Sequence, residues 1–367
     1  MDLVDTTFKP ESTVHRPALP IMNIDLKDKT FGELERIVVD MGGKKYLAGY
    51  IFQFIHVENA GRISQVTPLS KAFREKLIAR GYHISKLTVA DKQTDEGGTA
   101  KYLFELGDGR RIETVLLLDG KRKTLCVSTQ VGCAMDCRFC ATAKIGFERN
   151  LTAGEIVDQV NAVTKDAGRI SNVVYMGMGE PLANYDAVVR SLDILNHPRG
   201  KNIGVRHITV STCGIVPAIR KLACENVHPR LAVSLNAPAD DVRTKLMPIN
   251  ARYPIADLFE AVRFYQVRTR QRVTFEYVLI KGLNDSATHA RLLVKLLKGF
   301  ACNVNLIEHN PHPCCKYVGS GAQRIGRFAS VLKDAGIETV VRFKMGRSIR
   351  AACGQLGADW IEKSNAK

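Results

Sequence analysis

The chain has 367 residues, 45% of them hydrophobic and 25% charged, with ten cysteines, one Trp and a formal net charge of +16. No run of about 18 apolar residues occurs, which excludes a membrane-spanning helix; Met1 to Ile24 lacks the apolar stretch of a secretory leader, so a cytoplasmic protein is expected. There, ten cysteines point to metal or redox chemistry rather than a disulfide framework, and the basic balance suits a polyanion such as nucleic acid, although a basic protein without such a partner fits the charge equally well.

In chain order, residues 1–24 read as an irregular tail. Residues 25–98 read as a small N-terminal helical accessory domain: Phe31, Leu34, Ile37, Val38 and Met41 recur at steps of three and four, as do Leu69, Phe73 and Leu77. From Leu87 to Leu118 the pattern alternates around a Gly107-Asp-Gly109 turn, so a β-hairpin is expected at 99–118 to connect the two domains. From 119 to 352, strand-like runs (Leu125–Thr129, Asn172–Met176, His207–Ser211, Arg230–Leu235, Arg272–Ile280, Asn303–Ile307, Glu338–Phe343) alternate with helical stretches. The best marked helix starts at a Thr152/Glu155 capping box and ends at Gly168. Repeated βα units make this an α/β protein with a parallel sheet. Six or more units favour a full or partial (β/α) barrel over a doubly wound sheet, although the pattern alone leaves both open. In either architecture, chemistry sits at the carboxyl ends of the strands.

The first of these strands runs into Cys133-Ala-Met-Asp-Cys137-Arg-Phe-Cys140. Three thiolates on one loop would hold three irons of a four-iron cluster, leaving the fourth iron open, whereas an electron carrier normally supplies four cysteines. An open iron can chelate the amino and carboxylate groups of S-adenosylmethionine, whose sulfonium is then cleaved by electron transfer to a 5′-deoxyadenosyl radical. The alternative is a zinc site completed by Cys126 or a distant His; zinc ribbons use two separated C-x2-C pairs, and only one is present.

Cys126-Val-Ser-Thr-Gln-Val-Gly-Cys133, Cys140-Ala-Thr-Ala-Lys-Ile-Gly-Phe-Glu-Arg-Asn-Leu151 and Ala351-Ala-Cys353-Gly-Gln-Leu356 closely resemble the RlmN/Cfr family of radical S-adenosylmethionine RNA methyltransferases, over about Leu26 to Leu356. The resemblance implies a partial barrel of the radical S-adenosylmethionine type, one [4Fe-4S] cluster on Cys133, Cys137 and Cys140, and two S-adenosylmethionine molecules per turnover. It implies S-adenosylmethionine contacts at Gly179 and Glu180 of the Gly177-Met-Gly-Glu-Pro181 turn, and at the strand ends carrying Ser211, Ser234, Leu235, Asn236 and Asn310. Asn236 departs from the pattern, where a His is common.

It further implies that Cys353, in the C-terminal segment 353–367, accepts a methyl group. A thiolate is nucleophilic enough to take the methyl of a sulfonium, which adenine ring carbons are not. Cys126 matches the family's resolving cysteine, which would form a transient catalytic disulfide with Cys353. Glu113 matches a glutamate assigned as proton acceptor, although a Glu on an amphipathic strand is otherwise usually a solvated side chain. Cys213, Cys224, Cys302, Cys314 and Cys315 match nothing catalytic. From Lys316 to Arg350, eight basic residues face two acidic ones, which suits RNA phosphates. Met345-Gly-Arg-Ser-Ile349 and Tyr46-Leu-Ala-Gly-Tyr-Ile-Phe-Gln-Phe-Ile55 depart from the family's patterns.

The expected activity is methylation of carbon 2 of an adenosine in 23S rRNA, and in tRNA, by a monomer served by an electron donor such as flavodoxin or ferredoxin. A Cfr-type enzyme acting on carbon 8 is the alternative. A non-catalytic iron–sulfur RNA-binding protein is a remoter one.

Overall fold

The computed structural model describes residues 23–313, 315–342 and 346–365. Most of the expected tail at 1–24, together with Cys314, Phe343, Lys344 and Met345, lies outside them. The N-terminal unit has three α-helices, Phe31–Asp40, Leu47–His56 and Lys71–Ala79. Thr30 and Glu33 cap the first reciprocally, and its Leu34 and Val38 are buried. Two short parallel strands, β1 (Ile24–Asp25) and β2 (Tyr82–His83), close the unit. It is joined to the rest by a buried ion pair, Lys27 Nζ to Asp158 Oδ1 at 2.5 Å. The other Asp158 oxygen accepts the Leu87 N–H at 2.7 Å.

The next strands are β3 (Thr88–Thr94), β4 (Ala100–Glu105), β5 (Arg111–Asp119) and β6 (Arg122–Cys126). They form an antiparallel meander. The expected hairpin at 99–118 is therefore the middle of a larger piece, and the boundary expected at residue 98 falls inside it. Gly109 takes a positive φ of 79° in the β4–β5 turn, a conformation that costs glycine little. All seven residues of β3 are exposed, as befits an edge strand whose Asp91 and Lys92 discourage pairing with another sheet.

β7 (Gln130–Gly132) and β8 (Phe147–Asn150) form a small separate ladder on either side of the cysteine loop. Then follow β9 (Asn172–Tyr175), β10 (Ile208–Thr212), β11 (Arg230–Ser234), β12 (Val273–Leu279), β13 (Cys302–Glu308) and β14 (Glu338–Val341). The main sheet runs β3-β4-β5-β6-β9-β10-β11-β12-β13-β14. From β6 onward every pairing is parallel. Each new strand adds on the same side, with helices such as Ala153–Ala167 and Tyr185–Asn196 between them. A doubly wound sheet reverses its strand order at a switch point; this one never does, so right-handed crossovers keep the helices on one face and curl the sheet. The two edges, β3 and β14, do not pair, which makes it a partial barrel.

β6 spans 122–126 rather than the expected 125–129, because the Asp119–Arg122 hairpin starts it earlier and the chain leaves the ladder after Cys126. The helix after Thr152 has the predicted capping box, and Gly168 ends it with φ 77°. Among the described residues no helix is long and apolar enough to cross a membrane.

Candidate active site

Cys133, Cys137 and Cys140 lie between β7 and the short helix Ala141–Ile145. The loop is pinned at several points. Cys133 N–H donates to Gly146 O at 2.9 Å, Arg138 N–H to Leu246 O at 2.9 Å, and Ala141 N–H to Gly354 O at 2.8 Å. Gly132, at φ 72°, must be glycine, since a Cβ would lie 1.7 Å from Gly146 O.

Burial is the leading cause that raises all three thiols: Cys133 to about 12, Cys137 well above an ordinary thiol, and Cys140 upward. The thiols of Cys140 and Cys133 add to the rise at Cys137, and Arg243 opposes it. Thiolates on this one loop would repel one another and call for a cationic occupant. Among the described residues no three His, Cys, Asp or Glu side chains converge on a single metal-ion position. Three thiolates on one C-x3-C-x2-C loop fit a four-iron cluster with one open iron better than a zinc ribbon, which uses two separated C-x2-C pairs.

The residues expected to contact S-adenosylmethionine lie at or just beyond the strand ends around this loop. Gly179, φ 97°, packs its backbone onto Gln130, where a Cβ would lie 2.5 Å from the Gln130 side chain. Glu180 is buried; it accepts from Leu182 N–H at 3.0 Å and Cys213 N–H at 2.7 Å. Burial pushes its carboxyl up, and these bonds pull it back. Ser211 lies near the end of β10 and Ser234 ends β11. Neither hydroxyl bonds to a described residue. Leu235 and Asn236 follow, both donating backbone N–H to Glu276 O at 3.0 and 3.4 Å. Asn236 has a left-handed backbone, φ 58°. Its amide is engaged with Val278 N–H at 2.8 Å and Met247 Sδ at 3.2 Å. Asn310, beyond β13, donates to Cys353 O at 3.1 Å.

Cys126 ends β6 opposite Val115 of β5, and Glu113 is two residues from Val115, so both side chains share one face of the meander. Cys126 and Cys353 are free thiols. Burial raises both, Cys353 to about 11, and Cys353 is near enough to raise Cys126 further. Cys353 is nonetheless solvent-exposed and Cys126 partly so.

The Cys353 segment is held down from three sides. Thr142 Oγ1 donates to Leu356 O at 2.9 Å, Gln355 Nε2 to Pro311 O at 2.8 Å, and Gly357 N–H to Glu113 Oε2 at 2.7 Å. Glu113 is buried and pairs with Lys101 at 3.1 Å. Burial raises its carboxyl, while Lys101 and the Gly357 N–H lower it.

Several groups here carried no sequence signal. Arg243, fully buried, donates to the carbonyls of Cys213 at 2.7 Å and Leu235 at 3.1 Å. Glu276 of β12 accepts from Asn305 at 2.7 Å, and its charge raises Cys353. Glu276 and Asn305 face each other on the paired strands β12 and β13, and Arg243 comes from the helix Asp240–Leu246, so only the assembled sheet brings them together. Of the basic stretch, Arg324 is tied to Asp285 and Arg350 to Asp359 and Glu362. Lys316, Arg327, Lys333 and Arg342 are exposed, and Arg342 opposes Glu276 at Cys353. Cys224 is exposed, Cys213 and Cys302 are buried, and the Cys315 thiol lies 3.5 Å from Arg138 O.

Residues 127–293 match the Radical SAM superfamily, which implies a [4Fe-4S] cluster and S-adenosylmethionine. The chain is 45% identical to a protein of Thermoanaerobacter sp. (strain X514) named probable dual-specificity RNA methyltransferase RlmN, over 92% of this chain and 99% of that one. It is also 45% identical to one of Geobacillus kaustophilus with the same name, over 98% of each. The crystal structure of a radical SAM methyltransferase from Sphaerobacter thermophilus superposes with a TM-score of 0.86 at 46% identity, covering 91% of this chain and 99% of that one. Identity at this level over nearly the full length of these relatives places the fold, the cysteine loop and the Cys353 segment in one lineage: the chain belongs to the RlmN family of radical S-adenosylmethionine RNA methyltransferases.

Proposed function

We propose that the protein methylates carbon 2 of an adenosine in 23S rRNA and, as the dual specificity in its relatives' names suggests, in tRNA. The observation that carries this reading is the docking of the segment bearing the free thiol Cys353 against both other expected sites: Ala141 N–H, next to Cys140, donates to Gly354 O at 2.8 Å, and Gly357 N–H donates to Glu113 Oε2 at 2.7 Å. Carbon-8 methylation is not favoured, since the Thermoanaerobacter and Geobacillus relatives are both named RlmN.

Cys133, Cys137 and Cys140 would hold one cluster, with Gly179, Glu180, Ser211, Ser234, Leu235, Asn236 and Asn310 around S-adenosylmethionine. Bound together and reduced by a flavodoxin or ferredoxin, these groups supply a 5′-deoxyadenosyl radical. The Cys353 thiolate would take the methyl group of one S-adenosylmethionine, releasing S-adenosylhomocysteine, and a second would be the radical source. Cys353 deprotonates in this scheme as the sulfonium's positive charge offsets the burial that raises its thiol. Its methyl carbon, once the 5′-deoxyadenosyl radical has taken a hydrogen atom from it to become 5′-deoxyadenosine, bonds to carbon 2 of a base splayed from its loop. The adduct must give up one electron, for which the cluster left oxidised by the cleavage would serve as acceptor, and Glu113 accepts the proton that leaves carbon 2. Cys126 then attacks the Cys353 sulfur. An S–S bond forms as the S–C bond breaks, and the released carbon takes up a proton to become the new methyl. An external reductant restores both thiols, and a monomer suffices.

The test is mass spectrometry of adenosine isomers in RNA from cells with and without the gene. 2-Methyladenosine should vanish with the gene and return on complementation. Dependence of 8-methyladenosine on the gene, or of neither isomer, overturns the reading.

A further inference from the structure

The meander carries a buried lysine that the scheme above does not use. Lys101, in β4, has a side chain only 4% exposed, and its ammonium sits between two carboxylates. Glu113 Oε1 is 3.1 Å away and Asp359 Oδ2 is 2.7 Å away. Asp359 opens the C-terminal helix Ala358–Asn365, and its other oxygen meets Arg350 at 2.7 Å. Glu113 is therefore held at both oxygens, Oε1 by Lys101 and Oε2 by the Gly357 N–H four residues beyond Cys353.

A buried carboxyl is pushed toward its neutral form, which cannot accept a proton. At Glu113 the Lys101 charge is the largest effect opposing burial, the Gly357 N–H helps it, and the Asp359 charge works against it. The base thus depends on a cation that it shares with the segment bearing Cys353.

We propose that Lys101 is a positioning residue for the proton-transfer step: it keeps Glu113 ionised and aimed, and with Asp359 and Gly357 it completes the base only when the Cys353 segment is docked. This rests on reading Glu113 as the proton acceptor. It assigns Lys101 and Asp359 opposite effects on Glu113, which a merely structural ion-pair chain does not.

The experiment follows loss of label from RNA tritiated at carbon 2, in single turnover by the reconstituted full-length enzyme, against pH. Lys101→Gln removes the opposing cation, so the acidic limb moves to higher pH by about 1–3 units, the range for an opposite charge at this distance. Lys101→Arg keeps the charge and leaves the limb near its original place. Asp359→Asn removes the competing carboxylate and moves the limb to lower pH. If Glu113→Gln abolishes label loss while the limb stays put in both Lys101→Gln and Asp359→Asn, the role of Lys101 is overturned and the base stands. If Glu113→Gln releases label at the normal rate, the base itself falls, and this proposal with it. Should Lys101→Gln fail to fold, Asp359→Asn decides: a downward shift supports the proposal, and an unmoved or raised limb overturns it.

Discussion

The main sheet has two halves that meet at Cys126. The parallel half supplies the strand ends with Gly179, Glu180, Ser211 and Ser234; its strands β9 to β12 and the cysteine loop lie within the stretch matched to the superfamily, and β13 and β14 lie beyond it. The antiparallel half holds Lys101 and Glu113, and it lies outside that stretch, as does Cys353. Cys126 belongs to both: it pairs with Val115 on the antiparallel side and with Val174 on the parallel side. The division teaches that making a radical and disposing of a methyl group can be built on separate pieces of one sheet. On the proposed roles, the residue that ends the reaction sits at their seam.

The largest effects should come from cutting each half separately. Cys137→Ala should lose the cluster, seen as loss of its brown absorbance in anaerobic preparations, and with it all cleavage of S-adenosylmethionine. Cys126→Ala should keep cleavage but trap RNA covalently on the protein, visible as a shifted band on denaturing gels. Cys353→Ala should keep the cluster, carry no methylated thiol by peptide mass spectrometry and give no methylated RNA. Free product at normal rates from Cys126→Ala would remove the resolving role. Cleavage surviving in Cys137→Ala would dissolve the division itself.

A smaller effect tests how the halves are joined. Asp158, on the helix Ala153–Ala167 of the parallel half, receives both Lys27 from the N-terminal unit and the Leu87 N–H just before the meander. Lys27→Met leaves a buried carboxylate without its cation, which costs about 3–5 kcal/mol in comparable pairs. Urea unfolding should show that loss. A midpoint unchanged from the parent would mean that the N-terminal unit is not anchored through this pair.

How much of this was legible in the sequence follows from distance along the chain. The three cysteines lie within eight positions on one loop, so their spacing is their geometry. The Thr152/Glu155 capping box and the Gly109 turn are local for the same reason, and both appear as expected. Lys101, Glu113 and Asp359 are brought together by a strand register and by a helix 258 residues beyond Lys101. On an alternating strand such a lysine reads as solvated, and nothing short of the assembled sheet shows that it is buried. The fold class was legible because βα alternation is periodic. Barrel against doubly wound sheet was not, because strand order is a property of pairings and not of any one strand. The meander was read short at its edge because β3 is exposed along its whole length, and only its pairing with β4 shows that it belongs to the sheet.

The smallest effect asks whether stability and chemistry in the parallel half can be separated. Thr152 caps the helix Ala153–Ala167: its Oγ1 accepts the Glu155 N–H at 3.1 Å, and Glu155 accepts the Thr152 N–H at 2.9 Å. Glu155 also holds Arg149 of β8 through two contacts of 2.8 Å, and β8 is the partner of β7 at the base of the cysteine loop. Thr152→Ala removes one cap and leaves the Arg149 contacts in place, so about 1 kcal/mol should be lost. The unfolding midpoint should fall slightly, with cleavage of S-adenosylmethionine unchanged, because the loop is pinned independently by Gly146, Leu246 and Gly354. A cleavage rate that falls along with the midpoint would show that the helix start and the cysteine loop act as one unit, and the parallel half would then have to be treated as a single device rather than a scaffold with a loop fastened to it.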